Sequence, residues 1–129
     1  MLRVVIIEDS ALIRVRLAEA LGEIPGLQIA GEAETETDAL ALLRRGDWDA
    51  AILDLQLRQG TGLGVLKALP RSNRPAGAKV IVFTNYSFPQ YRARSLALDA
   101  DFFFDKSRDF ERVGEVLSTL AAEAPSRPS

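Results

Sequence analysis

Hydrophobic residues fall into two kinds of segment that alternate along the chain. Runs of this length, rich in valine, isoleucine and phenylalanine, are typical of β-strands. Because successive residues in each run are apolar, instead of alternating with polar ones, we expect both faces of the sheet to be covered. The strands are predicted at Leu2–Ile7, Leu27–Gly31, Ala50–Leu53, Lys79–Phe83 and Phe102–Phe104.

The segments between these runs have the period of helices. Apolar residues recur there at spacings of three and four, which gives a helix one apolar face. Ser10 can cap the first helix, Thr35 or Thr37 can cap the second, and Pro70 stops the third. Helices are therefore predicted over residues 11–22, 35–43, 63–69, 89–98 and 110–120.

Five strands that alternate with helices define the fold class. Each strand–helix–strand unit requires parallel strands and a right-handed connection. The chain is therefore predicted to be α/β, with five βα units in an open, doubly wound parallel sheet. We expect one domain over residues 1–122, a disordered tail over 123–129, and a surface loop over 71–78.

The amino-acid composition excludes several kinds of functional site and partner. The 129 residues include no cysteine and no histidine, which excludes thiolate metal sites and Ser-His catalysis. The net charge of −2 provides no basic field, so we expect no direct binding to DNA and no attraction to membranes. No signal peptide is visible, and no stretch approaches the roughly 20 apolar residues of a membrane span. A cytoplasmic location is expected.

Polar residues follow four of the predicted strands directly. Glu8 and Asp9 follow the first strand, Asp54 the third, Thr84 the fourth and Lys106 the fifth. Open α/β sheets bind ligands at the edge formed by the carboxyl ends of their strands. Two unit charges roughly 4 Å apart repel by about 4 kcal/mol at an effective dielectric constant near 20. Three converging carboxylates therefore need a cation or have strongly shifted protonation. Carboxylates without histidine or cysteine suit Mg²⁺ or Mn²⁺. The hydroxyl and the ammonium could then hold a phosphoryl group on one carboxylate.

Four motifs in order resemble the receiver domain of two-component response regulators. They are EDS after the first strand, LDLQL around Asp54, VFTN around Thr84 and FFFDKS around Lys106, and the resemblance covers about residues 2–122. It implies a flavodoxin-like fold with strand order 2-1-3-4-5. It also implies that Asp54 is the phosphoacceptor, and that Thr84 and Lys106 contact the phosphoryl group.

The resemblance further implies the cofactor and the switch. Mg²⁺ or Mn²⁺ would be held by Glu8, Asp9, Asp54 and the backbone carbonyl of Gln56, with Asp9 a direct ligand. Phe103 would be the switch aromatic that works with Thr84. The chain would take its phosphoryl group from a sensor histidine kinase or a phosphotransfer protein. It would signal to an output protein through helix 4, strand 5 and helix 5, and could form a homodimer when phosphorylated. It would be no enzyme beyond its own phosphorylation and dephosphorylation.

Some positions depart from the family pattern. Ser107 stands where a proline often follows the lysine, Arg58 replaces a proline four residues after Asp54, and Asn85 replaces a small residue. Gln56, Asn85 and Tyr86 border the predicted site and should influence how long the phosphoryl group persists.

Two alternatives remain. One is an interaction module with the receiver fold that works without phosphorylation. The other is a phosphohydrolase of the haloacid-dehalogenase type, which requires a second aspartate where this chain has Gln56. The glycines of GTGLG (60–64) lack dinucleotide-binding spacing and are expected to turn the chain into a helix.

Overall fold

Five parallel strands and five helices alternate in the computed structural model, which describes residues 1–124. The sheet order is β2-β1-β3-β4-β5, which confirms the predicted fold and topology. The strands are β1 (Leu2–Ile7), β2 (Leu27–Ala33), β3 (Ala50–Leu53), β4 (Lys79–Thr84) and β5 (Phe102–Asp105). The helices are α1 (Ala11–Gly22), α2 (Glu36–Leu43), α3 (Gly62–Ala68), α4 (Pro89–Ala97) and α5 (Phe110–Glu123), with a short 3₁₀ turn at Arg71–Asn73.

The pairing of the strands aligns their carboxyl ends. Ile7 at the end of β1 pairs with Leu53 at the end of β3. Thr84 at the end of β4 pairs with Asp105 at the end of β5. The residues that follow β1 and β3 therefore emerge side by side, and the loops after β4 and β5 start next to each other.

The central strands bury residues on both faces, as predicted. Val5 and Ile7 pack into one apolar core, which contains the fully buried Trp48. Val4 and Ile6 pack into a second core against α1 and α5. Helices on both sides thus cover the middle of the sheet.

The edge strand β2 differs from this pattern, and the prediction of two covered faces was wrong for it. Gln28, Ala30 and Glu32 are exposed, while Ala33 is buried. Because β2 lies at the edge of the sheet, one of its faces stays open to solvent. β2 also continues past the predicted Gly31 to Ala33.

Three helices begin at the side-chain caps that their sequences indicate. The Ser10 hydroxyl accepts a hydrogen bond from the Ile13 amide at 3.3 Å. Thr35, rather than Thr37, caps α2 by accepting from Asp38, and Thr61 caps α3 by accepting from Gly64. GTGLG is therefore the start of α3, as expected.

The fifth helix runs slightly further than its apolar pattern predicted. It ends at Glu123 and so overlaps the start of the predicted tail. Residues 125–129 of that tail lie outside the described residues. No helix within residues 1–124 is both long and apolar enough to cross a membrane.

The prediction of a surface loop over residues 71–78 was wrong for Arg74, which is buried. It is 8% exposed, although its neighbours Arg71–Asn73 lie at the surface. Its guanidinium donates to the carbonyl oxygens of Leu69 at 3.0 Å, Asp99 at 2.7 Å and Leu98 at 3.1 Å. Arg74 therefore joins the end of α3 to the end of α4. A loop composition rich in Pro, Gly and Arg contains no signal for this.

Replacing Arg74 with methionine should destabilise the fold by about 2–4 kcal/mol, because three carbonyl oxygens lose a charged donor in a buried place. Urea unfolding followed by the fluorescence of Trp48, the single tryptophan, measures the loss. Arg45→Met is the control, since the Arg45 side chain is 66% exposed and should cost under about 0.5 kcal/mol. Equal losses in the two variants would contradict a structural role for Arg74.

Candidate functional site

Three carboxylates meet where β1 and β3 end. One oxygen from each of Glu8, Asp9 and Asp54 lies within 4.8 Å of the others. Glu8 and Asp54 are 2% and 5% exposed, whereas Asp9 is exposed. The cluster predicted from the sequence is therefore assembled, and it opens to solvent on the side of Asp9.

Lys106 joins the two buried carboxylates. Its Nζ lies 2.5 Å from Oε1 of Glu8 and 2.7 Å from Oδ2 of Asp54, and its side chain is 9% exposed. Burial alone would lower the pKa of Lys106, but the hydrogen bonds and charges of the two carboxylates outweigh it and raise that pKa. The ammonium group is therefore a permanent positive charge against Asp54.

Glu8 is held from several directions. Its Oε2 accepts a hydrogen bond from the Ser10 amide at 3.0 Å, and its carbonyl oxygen accepts one from Arg14 Nη1 at 2.7 Å. Burial raises the pKa of Glu8, and the hydrogen bonds from Lys106 and Ser10 oppose that shift only in part. Both oxygens of Glu8 are thus engaged, whereas no side chain among residues 1–124 bonds the carboxylate of Asp9.

Asp54 is placed by the turn that follows β3. Its Oδ1 accepts a hydrogen bond from the Gln56 amide at 3.3 Å. A Cβ atom at Gly62 would collide with the carbonyl oxygen of Asp54, so the start of α3 approaches the site closely only because residue 62 is a glycine. One oxygen of Asp54 faces Lys106, and the other lies beside the exposed Gln56.

Thr84 ends β4 next to this cluster. It is fully buried, and its hydroxyl accepts a hydrogen bond from the Tyr86 amide at 3.1 Å. Its carbonyl oxygen accepts from the Lys106 amide at 3.0 Å, which ties the two strand ends together. Asn85 and Tyr86 follow Thr84 directly and are exposed, and their influence on the site stays a prediction.

Phe103 lies in β5 on the face that carries Trp48. It is half-buried, packs against that core and pairs with Val82 of β4. The structure therefore places it beside the strand that ends in Thr84, while its role as a switch stays a prediction.

Sequence reasoning missed a set of ion pairs beside the cluster. Glu34 Oε1 lies 2.8 Å from Arg14 Nη2, and Glu34 Oε2 lies 3.4 Å from Arg58 Nε. Arg14, which also bonds Glu8, therefore ties α1 to the loop after β2. The sequence indicated these ion pairs only through the position of Glu34 directly after β2. The fold is needed to bring the two arginines to it.

Asp105, next to Lys106, is a second omission. It is 8% exposed, and hydrogen bonds lower its pKa to about 2, first from the Ser107 hydroxyl and then from the Ser87 hydroxyl and the Ser107 amide. It is therefore ionised at all physiological pH values. An acid beside the lysine in FFFDKS could have indicated it.

A carboxylate cluster bridged by a lysine, at the carboxyl edge of a 2-1-3-4-5 sheet, defines the class of receiver-like proteins. The sequence matches the model of the family described as response regulator receiver domain over residues 4–118. The chain belongs to this family, which confirms the resemblance found in its motifs.

Individual relatives agree with this membership. The chain is 29% identical over 127 residues to the sensory transduction protein LytT of Bacillus anthracis, covering 98% of this chain and 50% of LytT. It is 34% identical over 128 residues to protein-glutamate methylesterase/protein-glutamine glutaminase 1 of Carboxydothermus hydrogenoformans, covering 95% of this chain and 37% of that protein. The chain thus spans half or less of the length of these two curated relatives.

A solved structure shows the same architecture. The CheY-like response regulator receiver domain protein from Methanospirillum hungatei JF-1 is 26% identical, with a TM-score of 0.79. The match covers 95% of this chain and 94% of that structure's chain.

Asp54→Asn should leave the free energy of unfolding unchanged or raise it by about 1–2 kcal/mol in the presence of a chelator. One ammonium group faces a cluster of three carboxylates, so removing one negative charge relieves repulsion. The single amide oxygen can still accept from Lys106, and only the longer bond from the Gln56 amide is lost. Urea unfolding followed by Trp48 fluorescence provides the measurement.

Asp101→Asn is the matched control for this comparison. Asp101 accepts from the Val80 amide at 2.8 Å and pairs with Arg71 at 3.2 Å, so its neutralisation should destabilise the protein. A loss above about 1 kcal/mol in Asp54→Asn would contradict net repulsion in the cluster.

Proposed function

We propose that this chain is a phosphoacceptor receiver in which Asp54 takes a phosphoryl group from phosphohistidine on a sensor kinase or a phosphotransfer protein. The observation that carries the proposal is the contact of Lys106 with Asp54, inside a cluster that also holds Glu8 and Asp9. A lysine against the acceptor oxygen of an acidic cluster suits a site that receives an anionic group.

The donor set fits a hard divalent cation. Three carboxylates within 4.8 Å, with no histidine or cysteine in the chain, match the preference of Mg²⁺ or Mn²⁺ for oxygen ligands. Asp9, Asp54 and the carbonyl of Gln56 would hold the ion, and Glu8 would contribute through water. The bound ion would neutralise phosphoryl oxygens during transfer.

Asp54 would act as the nucleophile. A carboxylate oxygen attacks phosphorus as the P–N bond to the donor imidazole breaks, and the imidazole nitrogen keeps the electron pair and takes a proton from water. Lys106 remains charged throughout and moves from pairing with the carboxylate to pairing with the phosphoryl oxygens. The burial of Asp54 and Thr84 limits water around the transferred group.

Thr84 and Phe103 would convert the transfer into a conformational change. The Thr84 hydroxyl leaves the Tyr86 amide and donates to a phosphoryl oxygen, and Phe103 fills the vacated space. Such a change shifts an equilibrium that exists before phosphorylation. The site-bordering residues Gln56, Asn85 and Tyr86 would set the access of hydrolytic water.

The surface that responds would be formed by α4, β5 and α5. A groove of about 290 Å³ lies there, and its lining includes Phe103, the arginines Arg92, Arg108 and Arg112, and the acids Asp105 and Asp109. Within residues 1–124, Arg92 makes no ion pair. This charge favours an output partner that presents acidic side chains in the cytoplasm.

Two observations weigh against the alternatives. An interaction module without phosphorylation has no need to bury Glu8 and Asp54 against Lys106. A phosphohydrolase of the haloacid-dehalogenase type needs an acid at position 56, where this chain has the exposed Gln56.

Incubation with acetyl phosphate and Mg²⁺ should add about 80 Da, the mass of one phosphoryl group, because Asp54 is a nucleophile beside a cation site. Intact-protein mass spectrometry measures the gain. Asp54→Asn should not gain mass, and Lys106→Met should label at least about tenfold more slowly, since a phosphoryl-contacting charge is lost.

Each contrary outcome has a distinct meaning. An unlabelled wild-type protein that also fails to bind Mg²⁺ would support the interaction module. Labelling that survives Asp54→Asn would place the nucleophile elsewhere. Sustained turnover of added phosphoesters would support the phosphohydrolase.

Beryllofluoride with Mg²⁺, a mimic of the phosphoryl group, should shift the wild-type protein from monomer toward dimer in sedimentation velocity. The face of α4, β5 and α5 carries arginines together with the exposed Glu111 and Glu115, so two copies can be self-complementary. Arg112→Glu should reduce the shift, and Asp54→Asn should abolish it. An unchanged sedimentation coefficient in the wild type would leave signalling to a different protein as the output.

A further inference from the structure

Asp105 lies between the two loops that carry the phosphoryl-contacting residues. It is the last residue of β5, pairs in register with Thr84 of β4, and immediately precedes Lys106. The register therefore puts its carboxylate between the loop that follows Thr84 and the loop that follows Lys106.

The Asp105 carboxylate is bonded by Ser107 on one loop and lies in the same groove as Ser87 on the other. Its Oδ1 accepts hydrogen bonds from the Ser107 amide at 2.7 Å and from the Ser107 hydroxyl at 2.5 Å. Ser87, three residues after Thr84, lines the same groove as Asp105, and its hydroxyl contributes to the lowered pKa of this carboxylate. One anionic group thus connects Ser87 on the first loop to Ser107 on the second.

Ser107 suits this connection in a way that proline would not. Proline has neither an amide hydrogen nor a hydroxyl, so a proline at residue 107 would remove both donors to Asp105. The departure from the family pattern at Ser107 therefore coincides with an acid at residue 105 that uses what serine supplies. Asp105 is held in turn by its own backbone, whose amide donates to Asp109 Oδ2 at 2.9 Å.

We propose that Asp105 is a positioning residue that holds the Ser87 loop and Ser107 together, so that Thr84 and Lys106 are presented to the phosphoryl group as one unit. Asp105 does not itself touch the reacting atoms. The inference rests on the proposed phosphoacceptor function, and it adds a residue and a contact to which that function assigns no role.

A double-mutant cycle tests this connection. Ser87→Ala removes the hydroxyl on the first loop, and Ser107→Pro removes both the amide and the hydroxyl donor on the second. Each should slow the labelling of Asp54 by acetyl phosphate about threefold to tenfold, the range for a lost hydrogen bond. The double variant should be no slower than the slower single variant, because one link can be broken only once. Fold-changes that multiply in the double variant would overturn the proposal.

Conservative variants separate positioning from general stability. Ser87→Thr and Ser107→Thr keep the hydroxyl and should restore most of the rate. Asp105→Asn should slow labelling about as much as the double variant. Asp101→Asn is the matched control, since Asp101 caps the opposite end of β5 through the Val80 amide and should leave the labelling rate unchanged. An equal slowing by Asp101→Asn would overturn the proposal in favour of a general loss of stability.

Hydrogen exchange tests the link without phosphorylation. Ser107→Pro, which removes both donors to Asp105, should speed exchange of the amides at residues 85–88, although the substitution lies on the other loop. Unchanged exchange there would overturn the link even if Asp54 labels normally. Faster exchange in a protein that never labels would instead support the link and overturn the phosphoacceptor function.

Discussion

The contact of one ammonium group with two buried carboxylates is the interaction on which this site depends. The Nζ of Lys106 lies within hydrogen-bonding distance of both Glu8 and Asp54. Without Lys106, two acids would be buried at the ends of neighbouring strands with no positive charge beside them. A buried carboxylate without a partner costs several kcal/mol, so the lysine makes the acidic cluster compatible with folding. The surplus negative charge opens toward solvent at Asp9, which is where a cation can be accommodated.

The register of the sheet makes this contact possible. Because β1 pairs with β3, β3 with β4 and β4 with β5, carboxylates, a hydroxyl and an ammonium group that lie far apart in the sequence emerge at one edge. The same register places Asp105 beside Thr84 and joins the loops after β4 and β5. Arg74 likewise connects two elements, because its guanidinium donates to carbonyl oxygens at the ends of α3 and α4. Polar contacts of this kind connect particular loops, whereas the apolar cores pack the helices against the sheet.

Much of the fold could be predicted, because the spacing of apolar residues and the helix caps can be read from short stretches of sequence. Ser10 caps its helix as predicted, Thr35 is one of the two caps proposed for the second helix, and the strands lie where the apolar runs lie. The exposed face of β2 could not be predicted, because an edge strand and a central strand can share the same composition. Arg74 was likewise assigned to a surface loop, since nothing local shows that three carbonyl groups surround it.

The sequence by itself determined the family and the layered fold. It also indicated the candidate site residues, because each lies at a strand end and in a short motif: Glu8, Asp9, Asp54, Thr84 and Lys106. Only the tertiary structure decided which of them touch. It engaged both oxygens of Glu8, left Asp9 open to solvent, and brought Arg14 and Arg58 to Glu34. The physical reason is that charges and hydrogen bonds depend on distance through space, and distances between loops of different strands are set by sheet register and packing, not by separation along the chain.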